Sequence, residues 1–225
     1  MLKYLLIGAC ALATTTAAHA EGLKLSGSLG VASQGTSKGL GQTDGDPQYT
    51  GIVEVAAKSG LYAGLKVFNI YANGGHTNEN HSYVGYKGKK GDYSYNVFVL
   101  YRVQDNAPNG YDNDIYEFDA TVSRKFGDTT VKGRLIMSPD GFGAAERADW
   151  YEIGVAQKLN GKWNASAALA TRQTENAPDY LAWNYGVTYA VTDKLSADLR
   201  YYDTDHHERG ERYEGRTIFG LVHKF

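Results

Sequence analysis

From Leu23 onward, apolar and polar residues alternate with a period of two rather than 3.6, and the alternation lasts to Phe225. Between Tyr93 and Val103 one face reads Tyr93, Tyr95, Val97, Val99, Tyr101 and Val103, while the other carries Ser94, Asn96 and Arg102 among Phe98 and Leu100. Successive strand side chains point to opposite faces, so such a run predicts a strand with one apolar and one polar side. Twelve segments of this kind are expected, at 23–33, 47–58, 61–72, 79–88, 93–104, 113–126, 129–138, 149–159, 163–173, 181–191, 195–203 and 215–225. No helix of useful length survives the same test.

The separators alternate in length. Tight turns are expected at Lys58-Ser59-Gly60, 88–92, Gly127-Asp128, Asn160-Gly161-Lys162 and Thr192-Asp193-Lys194, with the Gly, Asn and Asp that hairpins favour. Longer polar connections fall at 34–46, 73–78, 105–112, 139–148, 174–180 and 204–214. Short and long connections therefore sit on opposite rims. A meander with an even strand count and this asymmetry predicts an all-β fold, a closed antiparallel up-and-down transmembrane barrel. Closure follows from physics as well, because unpaired backbone groups at a sheet edge are too costly in lipid. A soluble β-sandwich is the alternative, and it would need the same alternation to face a shared core between two sheets.

The 18 tyrosines gain a location from this pattern. Tyr49, Tyr71, Tyr101, Tyr116, Tyr151, Trp183 and Tyr201 cluster toward the long-loop ends, and Tyr93, Phe126, Trp163, Tyr189 and Phe225 toward the short-turn ends. They are candidate aromatic girdles, where an amphipathic ring meets the headgroups of outer-membrane lipids. The chain stops at an aromatic residue, and Phe225 is the expected signal to the barrel assembly machinery. Residues 1–20 read as a signal peptide, with Lys3, an apolar run from Tyr4 to Ala13 and a cleavage site at Ala18-His19-Ala20, leaving 21–225 as the barrel. The destination implied is the outer membrane of a Gram-negative cell. The lone cysteine, Cys10, falls in that leader. With 23 Lys and Arg against 25 Asp and Glu, the chain lacks the basic footprint of a nucleic-acid binder.

If the apolar faces meet lipid, their opposites line an interior. Lys24, Glu54, Lys66, Arg102, Glu117, Asp119, Lys132, Arg134, Glu152, Arg172, Asp198, Arg200 and Arg216 are assigned there, with cations outnumbering anions. Hairpin register places Glu54 diagonal to Lys66 and Asp119 diagonal to Arg134, within reach of long side chains. Twelve strands give a backbone diameter on the order of 25 Å and a lumen of roughly 10 Å. That space can admit a small solute or be filled by an inward loop.

Residues for chemistry are sparse. His81-Ser82 is the only adjacent histidine and serine, and strand neighbours face opposite ways, so they cannot act as base and nucleophile. Asp203, Asp205, His206, His207 and Glu208 gather possible metal ligands in the last long loop, a pattern equally expected of a solvated acidic loop. Asp44-Gly45-Asp46 lacks the further oxygen ligands of a calcium loop, and Gly35-Thr36-Ser37-Lys38-Gly39 lacks the spacing of a phosphate loop. No catalytic residue, cofactor or metal is expected.

One stretch carries a resemblance. Gly30-Val31-Ala32-Ser33, then Gly39-Leu40-Gly41-Gln42-Thr43-Asp44-Gly45-Asp46-Pro47, then Ser59-Gly60-Leu61-Tyr62-Ala63-Gly64 resembles the start of the TorF-like porins of Gram-negative bacteria. The resemblance implies an outer-membrane barrel with a porin-like role. The aromatic, arginine-rich piece usual after the first strand is here Gln34-Gly35-Thr36-Ser37-Lys38. The expectation is a narrow channel for passive transport of small hydrophilic or anionic solutes, with Lys66, Arg102, Glu117, Asp119, Lys132, Arg134, Glu152, Arg172, Asp198 and Arg200 lining the pore. A plugged structural or ligand-binding barrel and a lipid-modifying enzyme are the alternatives.

Overall fold

A computed structural model describes residues 22–72, 76–143 and 145–225. The expected leader and its cleavage site lie outside the described residues. Twelve strands close into one barrel: β1 (Leu23–Ala32), β4 (Gln48–Ala57), β5 (Leu61–Ala72), β6 (His76–Lys90), β7 (Tyr93–Gln104), β8 (Asp114–Phe126), β9 (Thr129–Ser138), β10 (Ala148–Lys158), β11 (Trp163–Thr174), β12 (Tyr180–Ala190), β13 (Leu195–Thr204) and β14 (Arg216–Lys224). Each pairs antiparallel with its neighbour in the meander, and β1 pairs with β14 to remove the edges. The terminal residue extends this seam, with Phe225 N–H donating to the Gly27 carbonyl at 3.0 Å and Gly27 N–H returning a bond of 3.1 Å.

The alternation explains the two surfaces. Leu29, Val53, Leu65, Val84, Phe118, Ile153, Leu169 and Phe219 all project from the barrel exposed, Leu65 by 62% and Ile153 by 60%. Exposed apolar side chains are unremarkable singly, but a continuous belt of them around a closed sheet is the lipid-facing surface of a membrane barrel. Rings pair at the rims of the belt, Tyr101 with Tyr116 at 4.7 Å, Tyr185 with Tyr201 at 5.5 Å and Trp163 with Tyr189 at 4.7 Å between centroids.

The short turns are as tight as the sequence requires. β6 runs to Lys90 and returns through Gly91-Asp92 alone, while β8 and β9 are joined by Gly127-Asp128; Gly91 and Gly127 have φ of 59° and 60°. The addition to the expected strands lies in the first long connection. Thr36–Ser37 (β2) and Leu40–Gly41 (β3) pair as a small hairpin separate from the barrel sheet. That hairpin occupies the barrel interior.

Candidate functional site

The hairpin turns through Lys38 and Gly39, with φ of 51° and 84°. Two successive left-handed residues are what a two-residue turn of type I′ demands; glycine adopts the conformation freely, whereas a lysine does so at a cost. Contacts from the wall hold the turn there. The Tyr180 hydroxyl donates to the Lys38 carbonyl at 2.8 Å, and Arg212 Nε donates to the Gly41 carbonyl at 3.0 Å. Leu40 packs on a buried cluster of inward residues, Ile136, Trp150, Ala170, Tyr180 and Ala182. The base of the loop is tied by Gly35 N–H to Thr43 Oγ1 at 2.7 Å and by Tyr71 N–H to the Gln42 carbonyl at 2.6 Å, with Thr43 itself buried.

Lys38 carries its ammonium to Glu117, the first member of a buried charge network. Arg102 bridges two carboxylates, Nη1 to Glu117 Oε1 at 2.7 Å and Nε to Glu79 Oε1 at 2.9 Å. Glu79 also meets His81 Nε2 at 2.6 Å and accepts from Gln104 Nε2 at 3.0 Å. Glu79 is fully buried, and Glu117 and Arg102 nearly so. Buried charges persist only when paired and hydrogen-bonded, and the three strands β6, β7 and β8 place these partners side by side on the inward face. Burial pushes the Lys38 ammonium down to about 8 despite the opposing pull of Glu117.

The hairpin divides the lumen. Toward the short-turn rim lies a cavity of about 540 Å³ lined by Lys38, Lys132, Arg134 and Arg200 with one carboxylate, Glu152. Toward the long-loop rim lies a second, of about 330 Å³, lined by Lys38, Arg102, Arg172 and Arg212 with one carboxylate, Glu117. Lys38 is common to both.

The residues expected to line a pore all occupy the inward face but fall into separate groups. Arg102 and Glu117 belong to the buried network under the hairpin. Asp119 accepts from Arg134 Nε at 2.9 Å, the diagonal pair anticipated from register. Lys132 meets Glu152 at 2.6 Å, and Arg200 reaches Asp198 at 3.2 Å, Asn184 at 2.9 Å and Ser166 at 2.8 Å. Arg172 lies on the long-loop side, hydrogen-bonded to the Tyr180 side chain. The anticipated Glu54–Lys66 pair does not form. Glu54 pairs with Lys87, one strand further on, and Lys66 instead sits over the Phe68 ring at 4.4 Å. Arg216 donates from Nη2 to the carbonyls of Glu211 and Arg212 at 2.8 Å each, and its guanidinium lies against Gly41 of the hairpin.

Sequence reasoning missed Glu79, His81, Lys87 and Lys38 as interior residues. The first three share the parity of Tyr83 and Gly85 on β6, so the alternation already contained them. Lys38 was legible only as a residue of the dipeptide Lys38-Gly39, a weak turn signal. Among the described residues, no group of three or more His, Cys, Asp or Glu side chains is arranged to hold a metal ion. In the last long loop His207 pairs with Asp203 at 2.7 Å.

Comparison with known sequences and structures bears on this geometry at two levels. Residues 16–219 match the profile of Gcw_chp, a bacterial protein family of unknown function. The chain belongs to this family. No curated protein matches this chain. Among solved structures the barrel is similar to the KdgM porin (TM-score 0.64, 9% identity, covering 89% of this chain and 99% of that one). It is also similar to the NanC porin (0.57, 11%, 88% and 98%) and to the COG4313 outer membrane channel from Pseudomonas putida F1 (0.54, 9%, 91% and 96%). At such identities the likeness establishes the porin-type barrel fold.

Proposed function

We propose that this Gcw_chp protein is an outer-membrane channel through which small hydrophilic solutes diffuse passively, anions in preference to cations. The observation that carries the reading is the pair of lumenal chambers meeting at Lys38, each lined by four cationic side chains against one carboxylate. Low-dielectric walls focus the field of such charges, so mobile anions concentrate where cations are diluted. No chemical step is required of any residue. The resemblance of residues 30–64 to TorF-like porins supports the same reading, as do the similar porin structures, one of which is the KdgM porin in complex with disordered oligogalacturonate. The apolar belt supports contact with outer-membrane lipids, the leader supports export with cleavage after Ala20, and Phe225 at the barrel seam supports recognition by the assembly machinery.

Reconstitution in planar bilayers under a potassium chloride gradient tests the proposal. Discrete conductance steps with a reversal potential on the chloride side are expected, and Arg134→Glu combined with Arg200→Glu should move it toward potassium. Absence of conductance would instead favour a barrel closed by its own loop, a second reading that draws on the anchoring of Lys38, Leu40 and Gly41 to the wall.

A further inference from the structure

Outside the lumen, one strip of the barrel wall joins a cationic end to an apolar depression. Arg124 stands exposed on the lipid-facing side of β8 at the short-turn rim, its guanidinium 5.1 Å from the Tyr93 ring centroid and 4.8 Å from that of Phe126. A single donor is in use, Nη1 to the Tyr93 hydroxyl at 3.2 Å. Lys90 shares that face with Val84 and Tyr86 and pairs with Tyr93, which pairs with Arg124, so the two cations are two strand spacings apart, about 10 Å. Neither has a carboxylate partner among the described residues. The adjoining segments 89–92 and 124–128 carry Lys89, Lys90, Arg124 and Lys125 against Asp92 and Asp128. One step further into the membrane, Tyr95, Val122, Gly133 and Ile153 lie abreast across four strands. Gly133 and Ala120 are the small residues there, and a groove of about 700 Å³ opens over them between Tyr95 and Val97 on one side and Ile153 on the other. Nothing of the barrel fills it, since a β-carbon on Gly133 would meet only Val122 Cγ1, at 3.9 Å. Glycine weakens a strand interior, and here neither a turn nor a close neighbour demands it, which leaves an approach from outside the wall as its use.

We infer that this strip is a binding site for one anionic glycerophospholipid of the periplasmic leaflet, its phosphate held by Arg124 and Lys90 and one acyl chain laid in the groove over Gly133 and Ala120. Short turns mark the periplasmic rim of an outer-membrane barrel, so the leaflet follows from placement in that membrane and the site owes nothing to conduction. A guanidinium held by ring faces keeps the edge of its fork free for phosphate oxygens. The charge at this end sets the headgroup: a zwitterionic lipid brings its own ammonium among uncompensated cations, whereas a net anionic one does not. Continuity of the cationic end with the groove sets the class of molecule, because a lipid alone offers a phosphate and an apolar chain at this spacing.

Native mass spectrometry of the full protein, released from micelles doped with phosphatidylglycerol or with phosphatidylcholine of the same acyl chains, tests it. One phosphatidylglycerol per barrel is expected to remain bound, at least tenfold more strongly than phosphatidylcholine. Arg124→Gln and Gly133→Leu are each expected to weaken it about tenfold, the first by removing a partner of the phosphate and the second by filling the groove. Lys162→Gln removes another rim cation, set 5.6 Å from the Tyr189 ring, and is expected to change nothing. Equal retention of the two lipids, an equal loss in Lys162→Gln, or retention untouched in both Arg124→Gln and Gly133→Leu would overturn the assignment. A dimer mass abolished by Gly133→Leu would also overturn it, giving the groove to a second barrel. Should Gly133→Leu lose the heat-modifiable gel migration of a folded barrel, Arg124→Gln and the two-lipid comparison decide. Presence or absence of bilayer conductance leaves every one of these outcomes as it stands, so the site and the channel fail separately.

Discussion

Lys38 takes an ammonium out of water and a backbone out of its preferred region, and both costs are met by neighbours that lie far away in sequence. Glu117 and the Tyr180 hydroxyl are the groups that receive it. Its charge state therefore reports whether the hairpin is seated. Seated, the ammonium titrates at about 8; released to solvent it returns to the ordinary lysine value of roughly 10.4. The seated state thus binds fewer protons between those limits, and by linkage its stability is unchanged below about pH 8 and rises as pH climbs through the window. If the seated hairpin is the less conducting state, open probability in bilayers should fall between about pH 8 and pH 10, and Lys38→Gln should abolish that dependence. A rise over the same range would contradict the assignment.

At the scale of elements, the hairpin is a two-strand unit too small to stand by itself, so its position depends on the wall it touches. Gly39 fits closely against the wall itself. A β-carbon there would approach Ala182 Cβ at 2.8 Å and Thr204 Cγ2 at 3.3 Å, on a backbone already at φ 84°. Gly39→Val is expected to unseat the hairpin while the barrel strands stay paired. Trypsin added to the folded protein should then cut after Lys38, while the unmodified protein is expected to resist; equal resistance of both would show that the hairpin tolerates the bulk. The barrel strands were legible beforehand because each repeats a period-two pattern over ten or more residues, enough to place β7 at Tyr93–Gln104 to the residue. The hairpin was not, since two-residue strands carry no period and its burial is decided by Tyr180, 142 positions away. Pairing of Asp119 with Arg134 followed from register, but that of Glu54 could not, because Lys87 had not been counted among the inward residues.

The molecule as a whole inverts the usual arrangement of a soluble protein, with its apolar side chains outside and its charges enclosed. Lipid stands in for a hydrophobic core on the outer face, while the inner face is held by ion pairs that low dielectric strengthens and that closure protects from water. Such an interior resists deformation where the network is complete, around Glu79, Arg102 and Glu117, and leaves space where it is not. The two chambers are that space, and the hairpin is the partition between them. Replacing residues 36–41 by a Gly-Ser segment too short to reach Tyr180 would remove the partition and leave the wall intact. Single-channel conductance of this variant beside the unmodified protein measures the arrangement directly: a severalfold larger unit conductance with anion preference retained is predicted, and an unchanged unit conductance would contradict it.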